Sequence, residues 1–155
     1  MTARLLVDAL RTRRLTVSFC ESLTAGLTAA TLADVPGAST VLRGGLVTYA
    51  TDLKHSLARV PQELLYAHGP VAEPTAAAMA AGCRSVCGSD WAVALTGVAG
   101  PDPQDGHPVG EVWLAWAGDG GVDTQQLALS GTRREIREQA VEVALAGLLA
   151  RVEKR

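Results

Sequence analysis

Ser22, Lys54 and the glycine-bearing stretch 96–101 are the residues whose types and settings best suit nucleophilic chemistry. Ser22 lies in Phe19-Cys20-Glu21-Ser22-Leu23-Thr24-Ala25-Gly26, between the β-like run 15–19 and an Ala/Thr/Leu run at 27–33 with helical spacing. Glu21, Ser22 and Thr24 therefore sit where a strand ends and a helix begins. A helix start offers unpaired N–H groups and a partial positive charge. It suits an anion, or an oxygen that turns negative during a reaction. The same place also suits Ser22 or Thr24 as a plain helix cap. Lys54 lies one helical turn beyond Tyr49, in Tyr49-Ala50-Thr51-Asp52-Leu53-Lys54. A lysine becomes a general base when burial or positive neighbours lower its pKa. A Ser–Lys pair can then activate a hydroxyl as Ser–His does. Most lysines simply face water, and that reading stands beside the catalytic one. His55, His68 and His107 show no spacing that suggests a Ser/His/Asp set.

Four stretches besides Ser22 and Lys54 carry signals. Thr96-Gly97-Val98-Ala99-Gly100-Pro101 follows an apolar run of strand length. Ligands of open α/β sheets bind at the carboxyl ends of strands, and Gly97 and Gly100 would let a backbone come close to one. The stretch is neither GxGxxG nor a Walker loop, and it also reads as a simple turn. Gly44-Gly45 inside a strand suggests a bulge or a close backbone approach. Arg133, Arg134 and Arg137 crowd a helix start, where cations oppose the macrodipole by roughly 0.3–1 kcal/mol each. An anionic ligand such as a phosphate would reverse that sign. Glu135 and Glu138 could equally make this a solvated charged face. Arg137, inside the formed helix, is slightly favoured over Arg133 as the phosphate contact. Glu73 at another helix start reads as structural at least as readily as functional.

The elements that must position these residues alternate. Helices are expected at 2–14, 24–34, 51–59, from Pro61 to His68, from Glu73 to about Val86, and from Thr132 to the end. Strands are expected at 15–20, 41–49, 91–95, 109–117 and 124–129. Thr132 with Glu135 three positions on matches a capping box. Pro74 in the first turn suits the start of the Ala-rich helix. Asp119-Gly120-Gly121 turns a hairpin. The pattern predicts an α/β chain, a three-layer α/β/α sandwich with a mixed, mostly parallel sheet and one C-terminal hairpin.

Composition narrows the function. The 155 residues are 48% hydrophobic and 19% charged, which is globular composition. A formal net charge of −2 argues against an electrostatic nucleic-acid or membrane surface. One Phe, two Tyr and three Trp leave little for base stacking. No apolar run is long enough for a membrane span. The amphipathic first residues are not a signal peptide, so a cytoplasmic location is expected. Cys20, Cys83 and Cys87 are odd in number and offer neither a disulfide framework nor, with the scattered histidines, a metal-ligand spacing. They read as small buried hydrophobes.

Five short motifs occur in one order: Glu21-Ser22-Leu23-Thr24-Ala25-Gly26, Gly45-Leu46-Val47-Thr48-Tyr49 with Lys54 five residues on, His68-Gly69-Pro70-Val71-Ala72-Glu73, Thr96-Gly97-Val98-Ala99-Gly100-Pro101, and Pro108-Val109-Gly110 before a Trp-containing strand. Together they resemble the CinA C-terminal domain family of competence/damage-inducible proteins, over about residues 5–150. The resemblance implies a metal-free and cofactor-free nicotinamide-nucleotide amidase. Such an enzyme turns nicotinamide mononucleotide and water into nicotinate mononucleotide and ammonia. It implies Ser22, Tyr49, Lys54 and Thr96 as catalytic residues. Substrate contacts are expected from Glu21, Thr24, Gly26, Gly45, Gly97, Gly100 and either Arg133 or Arg137. Leu23, Ala25 and Ala72 depart from the family's usual residues without removing a proposed catalytic group. The chain, 1–155, is expected to be one domain in stand-alone form and a homo-oligomer, acting on a small nucleotide, with no nucleic-acid or membrane partner. The rival expectation is a non-catalytic nucleotide-sensing module of the same fold, which would not need Ser22 and Lys54 close together.

Overall fold

A computed structural model describes residues 1–154. Six helices and five strands follow one another as α1 Thr2–Arg13, β1 Val17–Glu21, α2 Leu27–Ala33, β2 Leu42–Val47, α3 Thr51–Ser56, α4 Gln62–His68, α5 Glu73–Cys87, β3 Trp91–Gly97, β4 Glu111–Gly118, β5 Gly121–Ala128 and α6 Arg133–Glu153. A short 3-10 turn spans Ala38–Thr40. The sheet order is β2-β1-β3-β4-β5. β1 pairs in parallel with β2 and β3, while β4 runs antiparallel to both β3 and β5. β4 is thus the one described strand running against the rest. Among the described residues no helix is long and apolar enough to cross a membrane.

Side-chain size sorts the two faces of the sheet. In Trp91-Ala92-Val93-Ala94-Leu95 the large residues join one core cluster and the alanines the other. Strand alternation delivers this directly. The large-residue face is covered by α1, α2 and α6 through Leu6, Leu10, Leu32, Ile136, Leu145 and Leu148. The opposite face, built from Cys20, Ala92, Ala94, Ala115 and Ala117, receives Ala76, Met79, Ala80 and Cys83 of α5. Small residues on both sides let this helix lie close to the sheet. Thr132 and Glu135 form both hydrogen bonds of the capping box that opens α6.

Boundaries differ from the sequence pattern where turns intervene. α2 begins at Leu27, not Thr24, because Ala25 (φ 50°) and Gly26 (φ 98°) adopt left-handed backbone. α3 stops at Ser56, and Arg59 with φ 62° turns the chain before α4. β3 continues through Thr96 and Gly97, since β4 supplies partners at Trp113 and Val112. The hairpin's return arm starts at Gly121, three residues before Thr124.

Gly82 gives a test of the close α5 packing. A Cβ there would stand 1.6 Å from the Ala58 carbonyl oxygen. Gly→Ala in a helix interior ordinarily stabilises by about 0.8–1 kcal/mol. Here the sign reverses, because backbone would have to move. Gly82→Ala should destabilise by about 1–3 kcal/mol and lower the melting temperature by several degrees. An unchanged or raised melting temperature would show that α5 can shift freely.

Candidate active site

The parallel strands β2, β1 and β3 end on the same edge of the sheet, and the candidate site lies there. Alternation along β1 assigns its last side chains. Phe19 enters the α1/α6 core and Cys20 the α5 core. Glu21 points back toward α2, and Ser22 toward α3. The Ser22 N–H donates to the Leu95 carbonyl (2.9 Å), and the Thr48 N–H donates to the Glu21 carbonyl (2.9 Å). The serine is thereby held by the sheet on both sides of its own turn.

Glu21 fills the helix start expected to receive an anion. Its buried carboxylate accepts from the N–H groups of Thr28 (2.8 Å) and Ala29 (3.1 Å) in α2. A carboxylate at that end already neutralises the helix dipole. The expected oxyanion or phosphate site at α2 is therefore taken by the protein itself.

Lys54 is the largest charged side chain in the interior, with 1% of its surface exposed. Its Nζ donates to Ser22 Oγ at 3.0 Å and to the Thr48 carbonyl at 2.6 Å, with the Tyr49 carbonyl at 3.5 Å. Burial lowers its pKa to about 8 by penalising the ammonium form, and the negative charge of a nearby ionised Cys20 partly offsets this. Thr96, also buried, donates its hydroxyl hydrogen to the Pro70 carbonyl (2.7 Å). Its oxygen lone pairs are left for the cavity.

These groups border one cavity of about 120 Å³, together with Tyr49, Gly97, Gly100 and Arg133. The Tyr49 phenol is engaged by α6. Its main-chain carbonyl lies near Lys54, while its ring, more than half exposed, reaches across to α6. There Arg133 Nη2 donates to Tyr49 Oη at 2.9 Å, and Arg133 Nη1 donates to the Gly100 carbonyl.

Arg133, not Arg137, lines the cavity. Arg137 donates from Nε to the Leu23 carbonyl (2.9 Å) and from Nη2 to the Thr24 carbonyl (3.0 Å). It clamps the serine turn. Glu21, Thr24, Gly26 and Gly45 also stand outside the cavity lining. Thr24 is buried behind the turn. Gly26 caps α2 with positive φ, and Gly45 has the Phe19 carbonyl 3.1 Å from where a Cβ would sit. These residues shape the turn and the strand pair. Glu73 accepts from Thr124 Oγ1 at 2.7 Å and lies outside the lining as well. Asp102 and Gln104 line the cavity although the sequence singled out neither. The usable signal was their place in the polar loop just after the central strand. Among the described residues no group of three or more His, Cys, Asp or Glu is placed to hold a metal ion.

Comparisons with known proteins point one way. The family model for the CinA C-terminal domain matches residues 1–152. A CinA-like protein of Frankia casuarinae is 50% identical over 133 residues, covering 86% of this chain and 31% of that protein. A putative competence-damage inducible protein of Limosilactobacillus fermentum is 47% identical over 139 residues, covering 88% of this chain and 34% of that protein. The chain thus spans about a third of the length of these curated relatives. Among solved structures, a CinA superfamily protein from Klebsiella pneumoniae superposes with a TM-score of 0.96 at 31% identity, covering 99% of this chain and 97% of that one. The competence/damage inducible protein CihA of Agrobacterium tumefaciens gives 0.93 at 37% identity, covering 96% and 92%.

Proposed function

The chain belongs to the CinA C-terminal domain family, and from that premise we propose that it is an amidohydrolase acting on nicotinamide mononucleotide through a Ser22–Lys54 dyad. The observation that carries this reading is the 3.0 Å contact between Lys54 Nζ and Ser22 Oγ in a buried setting. A sensing module would bind a nucleotide equally well without it.

The neutral amine of Lys54 has two hydrogens for the Thr48 and Tyr49 carbonyls and a lone pair for the Ser22 hydroxyl. Lys54 takes the Ser22 proton as Oγ bonds to the carboxamide carbon. The carbonyl electrons move to oxygen, and N–H groups of the Gly97–Gly100 loop receive that oxyanion, since Glu21 occupies the α2 start. Thr96 Oγ1 accepts from the carboxamide NH2 and orients it. The C–N bond then breaks, and Lys54 returns its proton to the nitrogen, which leaves as ammonia. Water attacks the resulting ester and gives its proton to Lys54. The ester C–O bond breaks as Lys54 passes that proton to Ser22 Oγ, which releases nicotinate mononucleotide and restores both residues.

The test is ammonia release from nicotinamide mononucleotide by the purified chain with EDTA present. Release at the same rate with and without chelator supports the serine mechanism. Absence of release, with nucleotide still bound, returns the sensing module. Loss of activity in EDTA, restored by one divalent ion, overturns the dyad.

The rate should also follow the lysine. Raising the pH deprotonates Lys54, so kcat/KM should climb up to about tenfold per unit below about pH 8 and level off above it. A profile flat between about pH 6 and about pH 9 would place the base elsewhere.

A further inference from the structure

The cavity contains an acid that the reaction does not use. Asp102 follows Pro101 in the loop after β3 and lines the same cavity as Ser22, Lys54 and Arg133. It is the one carboxylate among the described lining residues. No described residue forms a hydrogen bond or ion pair with it, whereas Glu21, Asp90, Glu111 and Asp123 are all engaged. Arg133, the cavity's permanent cation, is tied to the Gly100 carbonyl two residues earlier in the same loop. The lining therefore carries one free negative group and one permanent positive group that are not paired with each other.

A lone carboxylate weakens a site for a purely anionic ligand, because like charges repel. It helps only if the ligand brings a positive charge as well. Resting on the amidohydrolase reading, we infer that Asp102 is a specificity-determining residue that recognises the fixed positive charge of an N-substituted pyridinium ring. Arg133 takes the phosphate and Asp102 the ring, so the lining's two charges match a zwitterionic pyridinium nucleotide. The ring carries the carboxamide that Ser22 attacks, so its charge must enter the cavity that Asp102 lines. The product bears an additional carboxylate beside that ring, and Asp102 repels it.

The discriminating ligand is the 1,4-dihydro form of the mononucleotide. It keeps the ribose, phosphate and carboxamide but has a neutral ring. Binding of both forms is measured by calorimetry to the full chain carrying Ser22→Ala, which cannot turn over substrate, with and without Asp102→Asn. The oxidised form should bind more tightly, by about three- to tenfold, and Asp102→Asn should erase that ratio by weakening the oxidised form alone. Asp102 is exposed, so added salt should shrink the ratio in the same direction. Asp102→Glu should keep part of it. Equal weakening of both forms would assign Asp102 to the ribose hydroxyls or to loop structure and overturn the inference. An unchanged ratio would overturn it too, with the substrate assignment intact. Binding of neither form to the Ser22→Ala chain would overturn the substrate assignment together with this inference.

Discussion

Ser22→Ala should lower turnover of nicotinamide mononucleotide by on the order of a thousandfold or more, and Lys54→Met should do nearly the same. Met keeps most of the length of the buried lysine stem while removing the amine that contacts Ser22 Oγ. The double variant should be little worse than either single one, because a nucleophile and its base act as a unit. Steady-state ammonia release measures the loss, and circular dichroism checks that each variant stays folded. Hydroxylamine in the wild-type assay should divert an acyl-enzyme to the hydroxamate. A Ser22→Ala chain with near-normal turnover would leave Ser22 as a turn residue and shift the chemistry to direct attack by water.

Arg133→Ala should abolish the preference for a phosphorylated substrate. Two of the guanidinium's five N–H groups hold Tyr49 Oη and the Gly100 carbonyl, which leaves three for a phosphate. A charge-assisted hydrogen bond contributes about 1.5–3 kcal/mol, equivalent to roughly tenfold to over a hundredfold in kcat/KM. The ratio of kcat/KM for the mononucleotide over nicotinamide riboside should fall by that factor in Arg133→Ala. Arg137→Ala should leave this ratio alone and lower kcat on both substrates, since Arg137 secures the turn behind Ser22. If Arg133→Ala retains the full wild-type ratio, the phosphate is held elsewhere, most simply at the N–H groups of the Gly97–Gly100 loop.

These two arginines show where the sequence stops being readable. Their spacing places them on one helix face, and that much the structure reproduces. Spacing does not say which neighbour each side chain meets, and the neighbours are the Leu23–Thr24 turn for one and the cavity for the other. Glu21 has the same history. Its position at a strand end was plain, but strand alternation had to be combined with the true start of α2 before its carboxylate could be placed. That start depended on left-handed backbone at Ala25, which residue type does not announce. By contrast, the alternation in Trp91–Leu95 and the Thr132–Glu135 box are local rules, and each produced its element as read. Ser22 and Lys54 lie between these cases. Their chemistry was legible from type and from family motifs, while their 3.0 Å approach is a tertiary fact. Asp102 was passed over because an acid in a polar loop carries no pattern of its own.

The Arg137 clamp also has a bearing on how the chain matures as it is made. The Leu23 and Thr24 carbonyls wait for a side chain 114 and 113 residues further along. Contacts that distant close slowly and late in folding. Any state with α6 undocked lacks both arginines and the core residues Ile136, Leu145 and Leu148. The turn would then hold its nucleophile without its brace, and the cavity would lack Arg133. On the amidohydrolase reading, activity should therefore appear in one step, when α6 docks.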